Sequence, residues 1–210
     1  VTVLRGREFQ GTASGHLAID DTQGQIQTQI ASDAGVSQLS LGNLRRIVRK
    51  TGRADARGKG FELRTDFWGV VRALRGLFVT TDGRAGGPGH AKDARDAVGR
   101  LMQARELQES LSGLAQRHEA QQRDADQSDV VKAIKARNDA IRGKPSGGEQ
   151  DFPELAEADL VLSSAAGISL AAERSAHIAS NEDVAVTSGR HVGLAVGRSL
   201  FASVANALSL

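Results

Sequence analysis

Polar and apolar residues change rhythm three times along this chain, and each rhythm predicts a different element. In Gln25–Ile30 the apolar-facing positions Ile26, Thr28 and Ile30 alternate with three Gln, the period-two signature of a strand. Val36–Leu41 repeats the alternation through Leu39 and Leu41, and Gly24, Gly35 and Gly42 punctuate it. Residues 1–42 therefore read as short strands, and residues 43–60 as a basic, glycine-containing connection. Strand patterns return in Phe61–Thr65, Val70–Leu74 and Leu77–Thr81.

Past the loop Gly83–Gly89 the period lengthens from two to that of a helix. Ala94, Val98, Leu101, Ala104, Leu107, Leu111, Leu114 and His118 recur at three- and four-residue steps and form one stripe. A polar patch, Gln121–Asp129, interrupts it. A shorter helix follows, with Ser128 or Asp129 as N-cap and Val130, Ile134 and Ile141 on its face, stopped by Gly143 and Pro145. Opposite the first stripe lie Arg95, Arg100, Arg105, Glu106 and Glu109, so this helix is amphipathic and its stripe needs a cover. The second helix and the neighbouring strands could supply it, or a partner could dock on Leu101, Leu107, Leu111 and Leu114.

The third rhythm is an uninterrupted ruler of eight. Leu160, Ile168, Ala176, Val184, Val192, Leu200 and Leu208 stand eight apart, and each is followed two residues later by Leu162, Leu170, Ile178, Val186, Leu194, Ala202 and Leu210. Polar triplets such as Asn181-Glu182-Asp183 and Gly189-Arg190-His191 separate the pairs. Apolar residues at i and i+2 mark one strand face, and a fixed short period marks a stacked repeat. Eight residues extend at most about 26 Å, too short to close a coil around a filled interior. One octad is then one side of a rung. Rungs made in series from one chain would use about three octads each and leave only about two rungs, below the roughly three that a repeat stack needs. Three intertwined chains fit the count better. Burial of two aliphatic side chains also falls short of the entropy cost of ordering eight residues, so a lone octad needs neighbours. The expected fold is mainly β: an intertwined trimeric β-helix or β-prism needle on octad repeats, with an inserted α-helical hairpin. Its expected trimer core is Leu160, Leu162, Ile168, Leu170, Ile178, Val184, Val186, Val192, Leu194, Leu200, Leu208 and Leu210.

Composition agrees with a thin aliphatic core. Of 210 residues only 3% are aromatic and 24 are Gly. The 27 basic and 25 acidic residues nearly balance, so charge gives no general case for nucleic acid. Arg45, Arg46, Arg49, Lys50, Arg53, Arg57 and Lys59 form a basic stretch, read as an exposed loop because no aromatic residue is interleaved for base stacking. The chain has no Cys, which excludes disulfides and thiolate metal sites. No signal peptide opens it, and no apolar run approaches a membrane span. It starts at Val1 and stops at Leu210 inside an octad, so it reads as a piece of a longer protein.

No residue constellation points to catalysis, a cofactor or a metal. The Gly83–Gly89 loop lacks the Lys-Ser/Thr of a phosphate-binding loop, since His90-Ala91 follow Gly89. His118-Glu119 begins like a zinc-protease helix, but Gln122 stands where the second His would be. His177 and His191 fall at outward or turn positions of the octads, away from the axis.

Leu17–Ile26, Ser37–Gly42, Gly60–Asp66 with Trp68-Gly69, and Leu77–Arg84 together resemble VgrG, the spike family of bacterial type VI secretion systems. The likeness runs over essentially the whole chain. Residues from about 58 onward resemble that family's C-terminal domain of unassigned function, and residues 90–142 its embedded helical segment. The organisation expected is 1–57 as the start of the β-stalk with its basic connection, 58–89 as further strands, 90–144 as the hairpin, 145–152 as linker and 153–210 as octad needle. The resemblance implies a non-enzymatic homotrimeric needle with a cap protein at its tip, standing on a tube reached through a region upstream of these residues. It also implies effectors as cargo, residence in the bacterial cytoplasm before firing, and secretion afterwards; the helical stripe adds an effector or adaptor chaperone as docking partner, and the near-balanced charge the expectation of no nucleic-acid partner.

Overall fold

The structure, a computed structural model, describes residues 1–48, 52–120, 127–144 and 153–205. It is mainly β with two helices. Two compact units, Val1–Val71 and Arg72–Leu210, divide the chain.

The first unit is a meander of five antiparallel strands in sequence order: β1 Thr2–Arg7, β2 Ser14–Asp20, β3 Gln27–Ser32, β4 Ser37–Val48 and β5 Gly52–Arg64. The basic stretch differs from expectation. It lies in the β4–β5 hairpin, not in a loop, and four of its arginines are bonded within the first unit. Arg45 donates to the Ala54 carbonyl, while Arg46, Arg53 and Arg57 pair with Asp55, Asp20 and Glu62. Arg49 and Lys50 lie outside the described residues. Val70–Leu74, expected as a strand, forms none, because no neighbouring strand offers it a ladder.

Period two is present in this sheet, with the polar face inside. Ala18, Asp20, Gln27, Gln29 and Ser40 are buried. Their polar atoms are satisfied in a chain across the strands, as burial requires. Gln27 donates to the Arg45 carbonyl at 2.9 Å and accepts from the Arg45 amide at 2.9 Å. Gln29 donates to Ser40 Oγ and to Gln38 Oε1, each at 3.2 Å. Gln38 donates to Glu62 at 3.1 Å, and Arg57 donates to the same oxygen at 2.7 Å. At the other end Asp20 accepts from Arg53 Nη2 at 2.6 Å and from the Thr22 amide at 3.1 Å. Burial opposes ionisation of Asp20, but the hydrogen bonds from Thr22 and the Arg53 guanidinium together outweigh it and hold the carboxyl below its usual range.

The second unit contains β6 Leu77–Thr80, α1 Arg95–Arg117, α2 Ser128–Arg142 and β7 Leu160–Ser163. Strands β6 and β7 pair in parallel, Leu77 opposite Leu160 and Thr80 opposite Ser163. The helices occupy the long connection between two adjacent strands. Gln127 takes the N-cap position of α2, so Ser128 is its first helical residue and not the expected cap. Gly143 stops the helix at φ 67°. Pro145, the expected linker 145–152, the loop 121–126, Leu208 and Leu210 lie outside the described residues. Among the described residues no strand follows β7, and the octad positions have no regular secondary structure and exposed side chains. The strand rungs expected there are absent from the single chain, which offers no neighbouring backbone for a ladder.

Gly42 turns β4 past β3 at φ +94°, where a Cβ would stand 2.5 Å from the Ile26 carbonyl oxygen. Gly42→Ala is expected to destabilise the first unit by about 1–3 kcal/mol. A urea unfolding curve should show this as a lower midpoint with an unchanged slope.

Candidate functional site

The helical insertion is fastened to the β6–β7 pair at one end and open at the other. Ala97 and Val98 from α1, Ile141 from α2 and Val161 from β7 form a small buried cluster. Phe78, Ala94, Leu101, Met102 and Leu155 pack against it. The two helices are joined directly where Asn138 donates from Nδ2 to the Leu101 carbonyl at 2.9 Å. Of the four candidate docking residues, Leu101 is drawn into this cluster and Leu107 is half-buried, whereas Leu111 and Leu114 are exposed. The helical stripe is thus covered near the strands and bare at its far end.

Polar groups lock the fastened end. Asp82, just past β6, accepts from Thr80 Oγ1 at 2.8 Å, from Arg100 Nη1 at 3.0 Å and from Ser163 Oγ at 3.2 Å. Arg100 also donates to Ser163 Oγ at 2.6 Å, so α1, β6 and β7 meet at one carboxylate. Arg100, then Thr80, hold the Asp82 carboxyl well below the usual range. Nearby, Arg84 donates to Asp93 at 3.3 Å and Asp96 at 2.6 Å at the start of α1. Asp93 is likewise depressed, chiefly by Arg95. On the other helix Arg137 reaches Glu157 at 2.8 Å and Asp159 at 2.7 Å.

Between the helices and octad residues 180–187 lies an open cavity of about 610 Å³, lined by Leu101, Ala104, Ile134, Arg137, Asp183 and Ala185 among others. Thr187 Oγ1 donates to Gln108 Oε1 at 3.3 Å across its edge. The core candidates divide in the same manner as the helical stripe. Leu160 and Leu162 are placed in β7, beside the buried Val161 that points the other way. Ile168, Leu170, Ile178, Val184, Val186, Val192, Leu194 and Leu200 share the extended run and touch no core of their own chain; Leu170 is 83% exposed and Leu194 77%. His177 and His191 are exposed. Among the described residues no cluster of three or more His, Cys, Asp or Glu could hold a metal ion, and no helix is long and apolar enough to cross a membrane. Sequence reasoning missed the Asp82–Arg100–Ser163 junction, for its members lie far apart in the chain and no local spacing signals them.

Known proteins place this architecture. Residues 7–115 match the family described as type VI secretion system Rhs element Vgr, and residues 147–210 match one described as an uncharacterized protein conserved in bacteria. The chain belongs to the VgrG family of type VI secretion spike proteins. It is 36% identical over 177 residues to the spike protein VgrG2b of Pseudomonas aeruginosa, covering 81% of this chain and 16% of that protein. With VgrG2a of the same organism it shares 35% identity over 175 residues, 80% of this chain and 19% of the relative. The chain therefore spans less than a fifth of the length of these curated relatives. Among solved structures, the VgrG spike of the type 6 secretion system superposes with a TM-score of 0.78 at 25% identity, covering all of this chain and 71% of that one. A VgrG spike with the Tle1 effector bound gives 0.77 at 25% identity, covering all of this chain and 58% of that one.

Because the Asp82 carboxyl is depressed, its contribution is present above the ordinary carboxylate pKa of about 3.9 and is lost as pH falls toward its folded value. Thermal unfolding of the second unit should therefore move to lower temperature on acidification below about pH 4. Asp82→Asn should lower the melting temperature at pH 7 and flatten that acid dependence.

Proposed function

We propose that these residues form part of a homotrimeric, non-enzymatic spike that punctures a target cell and carries effectors into it. The observation that carries this reading is the octad run. Among the described residues after β7 its aliphatic pairs are exposed and its backbone joins no strand, the state expected of one chain drawn out of an intertwined bundle. Three copies would give each extended segment neighbours for its ladder bonds and bring Ile168, Leu170, Ile178, Val184, Val186, Val192, Leu194 and Leu200 onto one axis, with Leu160, Leu162, Leu208 and Leu210 at the ends. A cap protein at the tip and a tube protein reached through upstream residues complete the machine. The protein waits in the bacterial cytoplasm and leaves the cell on firing.

Val184→Asp or Leu194→Asp should abolish the trimer. Each substitution sets three carboxylates together in an apolar core, at a cost on the order of several kcal/mol per unpaired charge. Light scattering reads the outcome: about three times 22.1 kDa for the unaltered chain and for Arg190→Asp, and loss of that mass for the two core variants. Equal tolerance at Val184 and Arg190 would contradict the inward register.

A second reading is favoured by the bare end of the helical stripe: Leu107, Leu111 and Leu114 dock an effector or its adaptor. The solved VgrG spike with an effector bound supports cargo docking on spikes of this class. Replacing residues 90–142 by a short flexible linker should leave the trimer and reduce cargo loading. Full cargo occupancy on the shortened spike would reduce the helices to a brace.

A further inference from the structure

Another cavity of the second unit, about 580 Å³, opens beside the first turns of α1. Its helical wall is Ala94, Arg95, Val98, Gly99 and Met102, residues that share one face of the helix. From Ala94 to Met102 the helix rises about 12 Å, so the cavity is a groove rather than a round cup. His90, Gly143 and Pro153 line it as well. Its volume lies within the roughly 300–1,000 Å³ of ligand pockets, and its floor is apolar where Val98 and Met102 belong to the buried cluster and its fringe. Glycine weakens the interior of a helix relative to alanine. Yet a Cβ on Gly99 would meet no atom within 4 Å. No described neighbour crowds that position, and the missing side chain leaves width in the groove.

Charge is distributed unevenly along it. At the Ala94 end Arg95 donates twice to Asp93, at 2.8 and 2.6 Å, while His90 and Lys92 both meet Glu154. At the Met102 end Arg142 is only half-exposed and poorly matched. Its Nη2 donates to the Met102 thioether sulfur at 2.7 Å, a weak acceptor. Its Nη1 stands 3.9 Å from Asp139, whose carboxylate already accepts from Lys135 at 2.8 Å. A guanidinium is therefore held at the end of an apolar groove with, among the described residues, no carboxylate at hydrogen-bond distance.

We propose that this groove binds a fatty-acid-class amphiphile, an unbranched alkyl chain ending in a single carboxylate. The chain lies along Val98, Gly99 and Met102, and the carboxylate takes the paired donors of Arg142. Met102, unbranched and adaptable, yields its contact with Arg142 to the stronger acceptor. A polyanion fits less well, since its further charges would rest on apolar walls without donors. The site lies wholly in the second unit, on a different part of α1 from Leu111 and Leu114, and is independent of the octad and docking readings.

Isothermal titration of the 210-residue chain with octanoate, decanoate and 1-decanol tests the assignment. Decanoate should bind about fifteenfold more tightly than octanoate, roughly fourfold for each of two added methylenes. Loss of the ionic head in 1-decanol, or of its partner in Arg142→Gln, should weaken binding about tenfold or more, and Arg142→Gln should not weaken 1-decanol. Gly99→Leu fills the groove and should abolish binding of all three without lowering the melting temperature. If Gly99→Leu does melt lower, Gly99→Ala decides, because its methyl favours the helix and should still weaken decanoate. The assignment is overturned if decanoate does not bind, if octanoate and decanoate bind alike, if Arg142→Gln leaves decanoate unchanged, or if Gly99→Ala melts no lower and binds decanoate as before.

Discussion

An extended backbone cannot stand alone in water. Its amides and carbonyls need a neighbouring strand, and its ordering entropy needs apolar burial that two aliphatic side chains per eight residues do not provide. That constraint governs the second half of this chain. Residues after β7 keep an eight-residue apolar spacing, and among the described residues they pair with no strand and leave their side chains exposed. The same shortage recurs in the first unit, where the sheet satisfies its polar face internally and leaves its aliphatic face outward.

Against that background the helical insertion is the best self-contained part of the second unit. The parallel pairing of β6 with β7 brings the two ends of the insertion together, and the Ala97–Val98–Ile141–Val161 cluster seats it there. Asp82 and Arg100 make the seat specific, because both charges are matched only when α1 lies over β6 and Ser163. Anchoring one end leaves Leu111 and Leu114 exposed at the other.

Much of this was legible in the residues, and the exceptions have physical causes. The helices declare themselves by their 3.6-residue stripe, and Gly143 marks the end of α2 by its need for positive φ. The resemblance to VgrG, read from short motifs such as Leu17–Ile26 and Gly60–Asp66, agrees with the family to which the chain belongs. The β4–β5 hairpin was hidden because Arg45, Arg46, Arg53 and Arg57 suggest solvent, although in the structure Arg45 and Arg46 bond across the hairpin to Ala54 and Asp55, Arg53 pairs with the distant Asp20 on β2, and Arg57 pairs with Glu62 on its own strand. Alternation in Gln25–Ile30 predicts two faces but does not say which one is buried. Gln27 and Gln29 go inside because Arg45, Ser40 and Gln38 satisfy their amides, and only the register brings those groups near. Val70–Leu74 has the side chains of a strand and no strand beside it.

Hydrogen exchange at the backbone amides of residues 168–205 tests the central claim most directly. An intertwined needle predicts slow exchange throughout this segment, comparable with the amides of β2 and β3, because every octad then donates into a ladder between chains. Exchange at the rate of an unstructured chain in 168–205, with β2 and β3 still protected, would contradict the account.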